Sequence, residues 1–399
     1  DKMIYLDNSA TTEPSETALR AMTEAASVWG NPSSVYKLGL DSKKLLEDCR
    51  RRVEKTFGMQ KFSRDMVYFT ASGTEANNIA MLGCCNAKKH LSKGKTGTVV
   101  ISAGEHPSVD EPAKLLEKEG YALERIGTRG GELDLDGLKR ALEGAKEDGR
   151  PGIFAGFMLV NNETGALYDV KSAAALVKEY FPDANVHCDC VQGYMKVKTT
   201  PKLLGVDTMT VSAHKIHSIR GAGALYVSEN VIKRHNIAPV MPGGGQEFGM
   251  RSGTENLCAI AAFSAAAEEA YSTFAERSEK TKKLRAVLEE RYHALLEPLG
   301  VTVNRPKNGV DGIMNVSLPG IRSETMLNYL SEREIYVSAG SACAANSKKK
   351  SLALQSFGCT ENEMDCAIRL SFDATNSEED ILRACDAMAA GVNELQRKR

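Results

Sequence analysis

The sequence lacks the features that mark membrane, metal-binding and nucleic-acid-binding proteins. Its 399 residues carry a formal net charge of only −1, so no basic excess indicates a nucleic acid or an anionic membrane as a partner. The longest apolar stretches, such as residues 153–160, are too short to cross a bilayer. The 10 cysteines include no CxxC pair and no His/Cys spacing typical of a metal site, and we therefore expect no bound metal.

The opening residues show no signal peptide pattern, and this absence bears on the state of the cysteines. In a chain of this length without an export signal, we expect reduced thiols and a cytoplasmic location. Apolar residues make up 42% and charged residues 26% of the chain, which is ordinary for a globular protein with a substantial core. Length alone allows two or three domains.

Between about residues 65 and 230, short β-rich runs alternate with helical patterns. Strands are predicted at residues 66–70, 98–102, 153–160, 185–189, 207–211 and 222–227, and helices near residues 74–91, 108–119, 135–145 and 170–180. This alternation predicts an α/β fold with a mostly parallel sheet covered by helices on both faces. Ligands in such folds bind at the carboxyl ends of the strands.

After about residue 257 the pattern changes to that of a smaller α+β domain. It predicts one long amphipathic helix, followed by alternating strands and helices, at residues 259–299, 312–318, 324–333, 368–372 and 378–395. We therefore expect a large domain over residues 13–260 and a small domain formed by residues 1–12 and 261–399.

Lys215 follows one predicted strand, and Asp189 and Gln192 stand at the end of another. A lysine amine can form a Schiff base with the aldehyde of pyridoxal 5′-phosphate, and a carboxylate can keep the pyridine nitrogen protonated. The amide of Gln192 suits the ring hydroxyl. Taken singly, each has an ordinary alternative: Lys215 can lie in a surface turn beside His214, and Asp189 can cap the next turn.

A second group of residues is typical of a phosphate site. Ser72, Gly73 and Thr74 lie between a predicted strand and a predicted helix, where free backbone N–H groups bind anions. An ordinary Ser/Thr N-cap would give the same pattern. The glycine-rich stretch at residues 243–254 matches neither nucleotide-binding glycine fingerprint, and it can bring Thr254 to a phosphate.

Three further residues complete the candidate site. His106 follows the strand at residues 98–102 and can stack on a cofactor ring or move protons, although a lone loop histidine is more often structural. Arg369 can hold an amino acid α-carboxylate bidentately or form a salt bridge at a strand edge. Cys343 stands in a loop of small residues that cannot pack it, so a nucleophilic thiol and an accidental loop cysteine both stay open.

Several segments in order resemble the cysteine desulfurases of the class V aminotransferase family, and the resemblance extends over nearly the whole chain. The segments are residues 5–12, 31–34, 161–165, 212–215, 251–256 and 341–343. The resemblance implies a fold type I pyridoxal phosphate enzyme that works as a homodimer. It also implies conversion of L-cysteine to L-alanine, with the sulfur passing to an enzyme cysteine as a persulfide.

The resemblance assigns a role to each candidate residue. Lys215 is the Schiff base lysine and general base, His106 stacks on the cofactor ring, and Cys343 takes the sulfur. The remaining contacts are Asp189, Gln192 and Asn162 at the ring, Gly73, Thr74, Ser212 and His214 at the phosphate, Thr254 of the other subunit also at the phosphate, and Arg369 at the substrate carboxylate.

The implied activity has rivals. A selenocysteine lyase or an aminotransferase of the same fold would share the cofactor site, and a catalytically weak homologue could serve as a sulfur-carrier scaffold. The resemblance implies an acceptor protein that uses the sulfur for iron–sulfur cluster, thio-cofactor or tRNA biosynthesis, without direct nucleic acid contact. The chain departs from the family's pattern at residues 218–220, 346–356 and 372–376.

Overall fold

The structure, a computed structural model, describes residues 3–339 and 350–397. Its strands are Ile4–Tyr5 (β1), Met66–Thr70 (β2), Thr98–Ser102 (β3), Ala122–Ile126 (β4), Gly152–Met158 (β5), Asn185–Asp189 (β6), Thr208–Ser212 (β7), Gly223–Val227 (β8), Thr302–Val303 (β9), Ile313–Ser317 (β10), Ile335–Tyr336 (β11) and Ala367–Ser371 (β12).

The helices within these ranges are Glu16–Ala26 (α1), Lys37–Thr56 (α2), Gly73–Leu91 (α3), Pro107–Lys118 (α4), Leu135–Glu147 (α5), Val170–Tyr180 (α6), Pro201–Leu204 (α7), Glu229–Lys233 (α8), Leu257–Ser272 (α9), Phe274–Arg291 (α10), Ser323–Ser331 (α11), Leu352–Phe357 (α12), Glu361–Asp365 (α13) and Glu378–Arg397 (α14). None of these helices has both the length and the apolar character that a membrane crossing requires.

In the described part of the chain the large sheet has seven strands, in the order β2-β8-β7-β6-β5-β3-β4. β8 runs antiparallel to β2 and β7, and the other neighbours are parallel. Four central strands, β3, β6, β7 and β8, are buried along their whole length. Their sequences therefore do not strictly alternate between apolar and polar residues. The expected α/β fold with a mostly parallel sheet is confirmed.

Helices pack against this sheet through two separate apolar clusters. α3 and α4 contribute Met81 and Leu116 to one cluster. α2 and α6 contribute Val53 and Val177 to the other. Two clusters are what a sheet covered on both faces requires, because each face buries its own set of side chains.

The second part of the chain has its own core. β12, β10 and β9 form an antiparallel sheet, and β1 pairs in parallel with β11. Ile4 and Leu6, at the start of the chain, join the apolar cluster that α10, α11 and α14 build with this sheet. The N-terminal strand therefore packs with the C-terminal half of the sequence.

The prediction of one helix over residues 259–299 is wrong. α9 ends before Thr273, whose φ of −104° and ψ of 13° break the helix, and α10 begins at the next residue. α9 buries most of its surface and packs against α1 and α2, whereas α10 buries only Leu284 and Leu288. The two halves face different surroundings, and this explains the break.

Candidate functional site

A cavity of about 250 Å³ opens where the parallel strands of the large sheet end. The predicted residues that line it are Gly73, Thr74, His106, Asn162, Asp189, Gln192, Ser212, His214, Lys215 and Arg369. They come together because β2, β3, β5, β6 and β7 all point their carboxyl ends to this edge.

Lys215 closes the short 3₁₀ turn Ala213–Lys215 that follows β7. Its Nζ donates to the backbone carbonyls of Ser9 at 2.5 Å and Ala10 at 2.7 Å. Burial, reinforced by the positive charge of Lys196, lowers the pKa of Lys215 to about 7. A substantial fraction of this amine is therefore unprotonated near neutral pH, as a nucleophilic lysine requires.

Asp189 is held by a chain of buried side chains. Its Oδ2 accepts from Nδ2 of Asn77 at 3.0 Å, and its Oδ1 accepts the N–H of Val191 at 3.0 Å. Oδ1 of Asn77 lies 2.9 Å from Nε2 of His187, whose Nδ1 lies 2.8 Å from the hydroxyl of Thr208. Burial lowers the pKa of His187 to about 3, so the ring is neutral and donates from Nε2. Asn77 thereby directs its amide N–H to the carboxylate.

The start of α3 forms one end of the cavity. The Ser72 side chain caps the helix by accepting the N–H of Glu75 at 3.1 Å. The N–H groups of Gly73 and Thr74 belong to the first helical turn, which has no partners within a helix. They therefore present donors, together with the positive end of the helix dipole, to an anion.

Gly73 also keeps the floor of this end open. A Cβ at this position would lie 3.1 Å from Cγ2 of Val191 and 3.4 Å from Cβ of Ser212. His214, which lines the same cavity, places its Nδ1 3.0 Å from the hydroxyl of Thr11. Burial, helped by the charge of Lys215, lowers the pKa of His214 to about 4, so its ring is neutral.

His106 caps α4 with its imidazole. Nδ1 accepts the N–H of Ser108 at 3.1 Å, so the neutral ring carries its proton on Nε2. Burial lowers the pKa of His106 and favours that neutral form. A neutral ring lining the cavity can pack against an aromatic ligand or exchange a proton at Nε2.

Two buried glutamates, Glu105 and Glu163, also line the cavity, and the sequence had not identified them as site residues. Oε1 of Glu105 accepts from the Ser102 hydroxyl at 2.6 Å and from the N–H of Met158 at 2.7 Å, and burial raises the pKa of Glu105 to about 8. Oε2 of Glu163 accepts from the Ser351 hydroxyl at 2.5 Å, and burial raises the pKa of Glu163. Each glutamate is the sequence neighbour of a predicted site residue, His106 or Asn162, and this was the one feature of the sequence that could have indicated them.

Arg369 lies in the middle of β12 and is only 2% exposed. Its Nη1 donates to the carbonyl of Asn162 at 2.8 Å, and its Nη2 donates to Oδ1 of Asp7 at 2.7 Å. Its Nε has no hydrogen-bond partner among the described residues. Arg369 lines the cavity, and a buried guanidinium there suits an incoming carboxylate.

One predicted site residue, Thr254, is not brought to this cavity, and another, Cys343, lies outside the described residues. Thr254 is exposed and lies outside the cavity of its own chain. Cys343 lies outside the described residues, so the structure places neither its thiol nor its loop.

The residues of the cavity fit pyridoxal 5′-phosphate. A buried amine with a lowered pKa and a buried, oriented carboxylate line a single space, as the aldehyde and the ring nitrogen require. The free end of α3, where only glycine leaves room, suits the phosphate.

The chain matches the aminotransferase class-V family over residues 4–383. A NifS/IcsS protein homolog of Lactobacillus delbrueckii subsp. bulgaricus is 34% identical over 398 residues, which cover 98% of this chain and 97% of that protein. Cysteine desulfurase IscS of Clostridium botulinum is 34% identical over 392 residues, which cover 96% of this chain and 92% of that protein.

A solved structure extends the comparison to the fold. The NifS-like protein of Rickettsia africae superposes with a TM-score of 0.86 at 29% identity, covering 98% of this chain and 100% of that one. The expected fold type I architecture is confirmed. The chain belongs to the aminotransferase class-V family, which depends on pyridoxal 5′-phosphate.

Proposed function

We propose that the protein is a cysteine desulfurase that converts L-cysteine to L-alanine and transfers the sulfur to its own Cys343 as a persulfide. The observation that carries the proposal is the meeting of Lys215, Asp189 and Arg369 at one cavity. An amine, a ring-binding carboxylate and a carboxylate-binding guanidinium are the groups that amino acid chemistry on this cofactor needs. Relatives named cysteine desulfurase, similar over nearly their whole length, support the choice of substrate.

When bound, pyridoxal 5′-phosphate supplies an aldehyde for amines and a ring that withdraws electrons from the substrate Cα. In our proposal Asp189 holds the ring nitrogen, Gln192 the ring hydroxyl with Asn162 beside it, and His106 the ring face. Gly73, Thr74, Ser212 and His214 bind the phosphate, joined by Thr254 of the second subunit.

Arg369, which lines the cavity, orients the substrate by binding its α-carboxylate. The lowered pKa of Lys215 leaves its amine free to accept the Cα proton at Nζ once the substrate has displaced it. The Cys343 thiolate then forms a sulfur–sulfur bond to the substrate. The Cβ–sulfur bond of the substrate breaks, its electron pair stays with the carbon skeleton, and protonation of that carbon yields alanine.

We further propose a homodimer. Trp29, Val35 and Tyr36 are 75%, 88% and 60% exposed, and they lie just before or at the start of α2. Large apolar side chains exposed together mark an interaction surface. A second subunit on this side would let Thr254, which is outside the cavity of its own chain, reach the partner's phosphate site.

The proposed domain division follows the apolar clusters. Ile4 and Leu6, within residues 1–12, share an apolar cluster with the C-terminal part of the chain. Because Ala259 and Phe263 of α9 pack in the core of the large domain, we place the boundary at Thr273 rather than at residue 260.

We also propose a cytoplasmic location and a protein acceptor for the sulfur. Within the described ranges the nine cysteines are all free thiols, which agrees with a reducing compartment. A persulfide is passed on by attack of a second thiol, so the acceptor must present a cysteine of its own. The acceptor would deliver the sulfur to iron–sulfur cluster, thio-cofactor or tRNA biosynthesis.

The test is the release of alanine and sulfide from L-cysteine in the presence of a reductant. Wild type should release both, and Cys343→Ala should lose the release while the absorbance of bound cofactor persists. Cys359→Ala, which removes a half-buried thiol whose pKa burial raises to about 11, is the matched control and should stay active. Full release by Cys343→Ala would show that Cys343 does not take the sulfur. Transamination without release of alanine and sulfide would favour an aminotransferase, and a strong preference for selenocysteine would favour a lyase.

A further inference from the structure

A second, smaller cavity of about 70 Å³ lies behind Lys215. Lys215 lines both cavities and so stands between them. The second cavity also contains Lys196, Arg277 and Asp373, which the first does not. Lys196 follows Met195, a residue with the positive φ of 58° that is uncommon outside glycine, in the turns after β6. None of these three residues has a role in the proposed reaction so far.

A hydrogen-bond chain connects Lys196 to Lys215. Nζ of Lys196 donates to Oε1 of Gln192 at 2.9 Å, and Nε2 of Gln192 donates to the carbonyl of Ser9 at 2.8 Å. The same carbonyl accepts from Nζ of Lys215 at 2.5 Å. An ammonium can only donate, so Lys196 fixes which end of the Gln192 amide is oxygen. The other amide end, NH₂, has a second N–H for a ligand.

The charges around the two lysines favour loss of a proton from Lys215. Lys215 faces the positive charges of Lys196 and Arg369 and the negative charges of Asp7 and Asp189. His106 and His214 line the same cavity, and both are held neutral by burial.

Lys196 faces Asp373, Arg369, Arg277 and the thiol of Cys190. The hydrogen-bond acceptor of Lys196 is an amide rather than a carboxylate, so no direct ion pair is needed to explain its position.

Asp373 is negatively charged and favours the charged form of Lys196. Nε2 of His217 donates to its Oδ2, and Nη2 of Arg277 lies 3.4 Å from the same oxygen. Against the effect of burial, hydrogen bonds from His217 and Thr375 hold the pKa of Asp373 well below its usual range.

We propose that Lys196 is a positioning residue of the active site: it fixes the amide of Gln192, and its charge favours the unprotonated amine of Lys215. The identity of the substrate rests on the proposed function, but the effect on Lys215 does not. Burial lowers the pKa of Lys196 itself to about 8, so its charge is present at neutral pH and fades above that value.

The experiment measures the pH dependence of Lys215 trinitrophenylation in the full chain after removal of the cofactor, with trinitrobenzenesulfonate as the probe and peptide mass spectrometry as the readout. In Lys196→Met the midpoint should rise by about one pH unit, because a like charge has been removed. Lys196→Arg should keep the wild-type midpoint. Lys198→Met removes an exposed charge two residues away and should also leave it unchanged.

A second readout uses the holoenzyme. The pH titration of the absorbance of bound cofactor should shift in Lys196→Met and be restored in Lys196→Arg. If Lys196→Met does not fold, Lys196→Gln provides the same loss of charge with a polar side chain. An unchanged midpoint in the neutral variant, or equal shifts in the neutral and arginine variants, would overturn the proposal. Failure of L-cysteine turnover with the expected midpoints would instead count against the proposed function alone.

Discussion

Two buried charged groups on opposite walls of the main cavity, Asp189 and Arg369, differ in how completely they are hydrogen-bonded. Both oxygens of Asp189 accept hydrogen bonds, and both ring nitrogens of His187 behind it have partners. Arg369 is equally buried, yet its Nε has no partner among the residues described. The carboxylate is already fully hydrogen-bonded in the protein alone, whereas the guanidinium retains an unused donor.

This difference matches the two kinds of ligand that the cavity is proposed to hold. A resident cofactor gains from groups that are oriented in advance, because no ordering is then needed when it binds. A substrate that enters and leaves in each cycle gains from a donor whose desolvation has already occurred and which its carboxylate can satisfy.

The largest expected effect comes from replacing Asp189, the fully hydrogen-bonded carboxylate of the cavity. Asp189→Asn keeps the shape but removes the charge, so the ring nitrogen would lose the partner that keeps it protonated. We expect kcat to fall by about 100- to 10,000-fold, the range of groups that govern protons in catalysis. Steady-state kinetics and the cofactor spectrum measure this effect. Asp189→Asn retaining near wild-type kcat would refute the assigned role.

Arg369→Lys should act on the opposite wall through substrate affinity. The lysine keeps a positive charge but cannot form the fork that binds a carboxylate and Asp7 together. We expect KM for L-cysteine to rise about 10- to 100-fold, as loss of one hydrogen bond to a charged group would cause. Cofactor content should not change. Loss of cofactor from this variant, with no change in KM, would mean that Arg369 binds the cofactor rather than the substrate.

Asn77→Ala would test whether the hydrogen-bonded side chains behind Asp189 contribute to stability. It leaves Asp189 and His187 each without one buried partner, and we expect the free energy of unfolding to fall by about 1 to 3 kcal/mol. Denaturant unfolding measures the change. Asn78→Ala, at the half-buried neighbouring position on α3 where the side chain bonds only the Thr74 carbonyl among the described residues, is the control and should stay near wild type. Equal losses of unfolding free energy in both variants would mean that the buried hydrogen bonds of Asn77 contribute nothing particular to stability.

The effect most confined to stability, with no direct effect on turnover, concerns Glu105, whose pKa burial raises from 4.5 to about 8. The folded protein holds a proton there that the unfolded chain releases, so wild type loses stability as pH rises through this window. Glu105→Gln does not ionise, and its Tm relative to wild type should increase between about pH 5 and about pH 9. Glu290→Gln, at an exposed position, should show no such trend.

The large sheet was predictable because its strands are short apolar runs with clear ends. β2, β3 and β6 have the predicted bounds. β4 was missed because Glu124 and Arg125 interrupt its apolar character at the edge of the sheet. The break at Thr273 was missed because helical periodicity continues through it, and only tertiary packing separates α9 from α10.

The site was predictable where residues follow strands, because parallel strands deliver their ends to one edge. The supporting residues were harder to find. Asn77 lies in a predicted helix and Glu105 directly precedes His106, but the buried contacts of both residues depend on neighbouring strands. Lys196 is invisible as a functional residue until Gln192 and Lys215 are placed in space.

The opening segment of the chain has a consequence for biosynthesis. Ser9 and Ala10 hold Lys215, and Asp7 contacts Arg369 across a sequence separation of 362 residues. β1 and the bridge from Asp7 to Ser371 add further contacts of the same long range. Residues 7–10 must therefore wait for a strand that is synthesised about 360 residues later, and such distant contacts form late. A nascent chain can complete its large sheet before that strand is made, but its active site can close only afterwards.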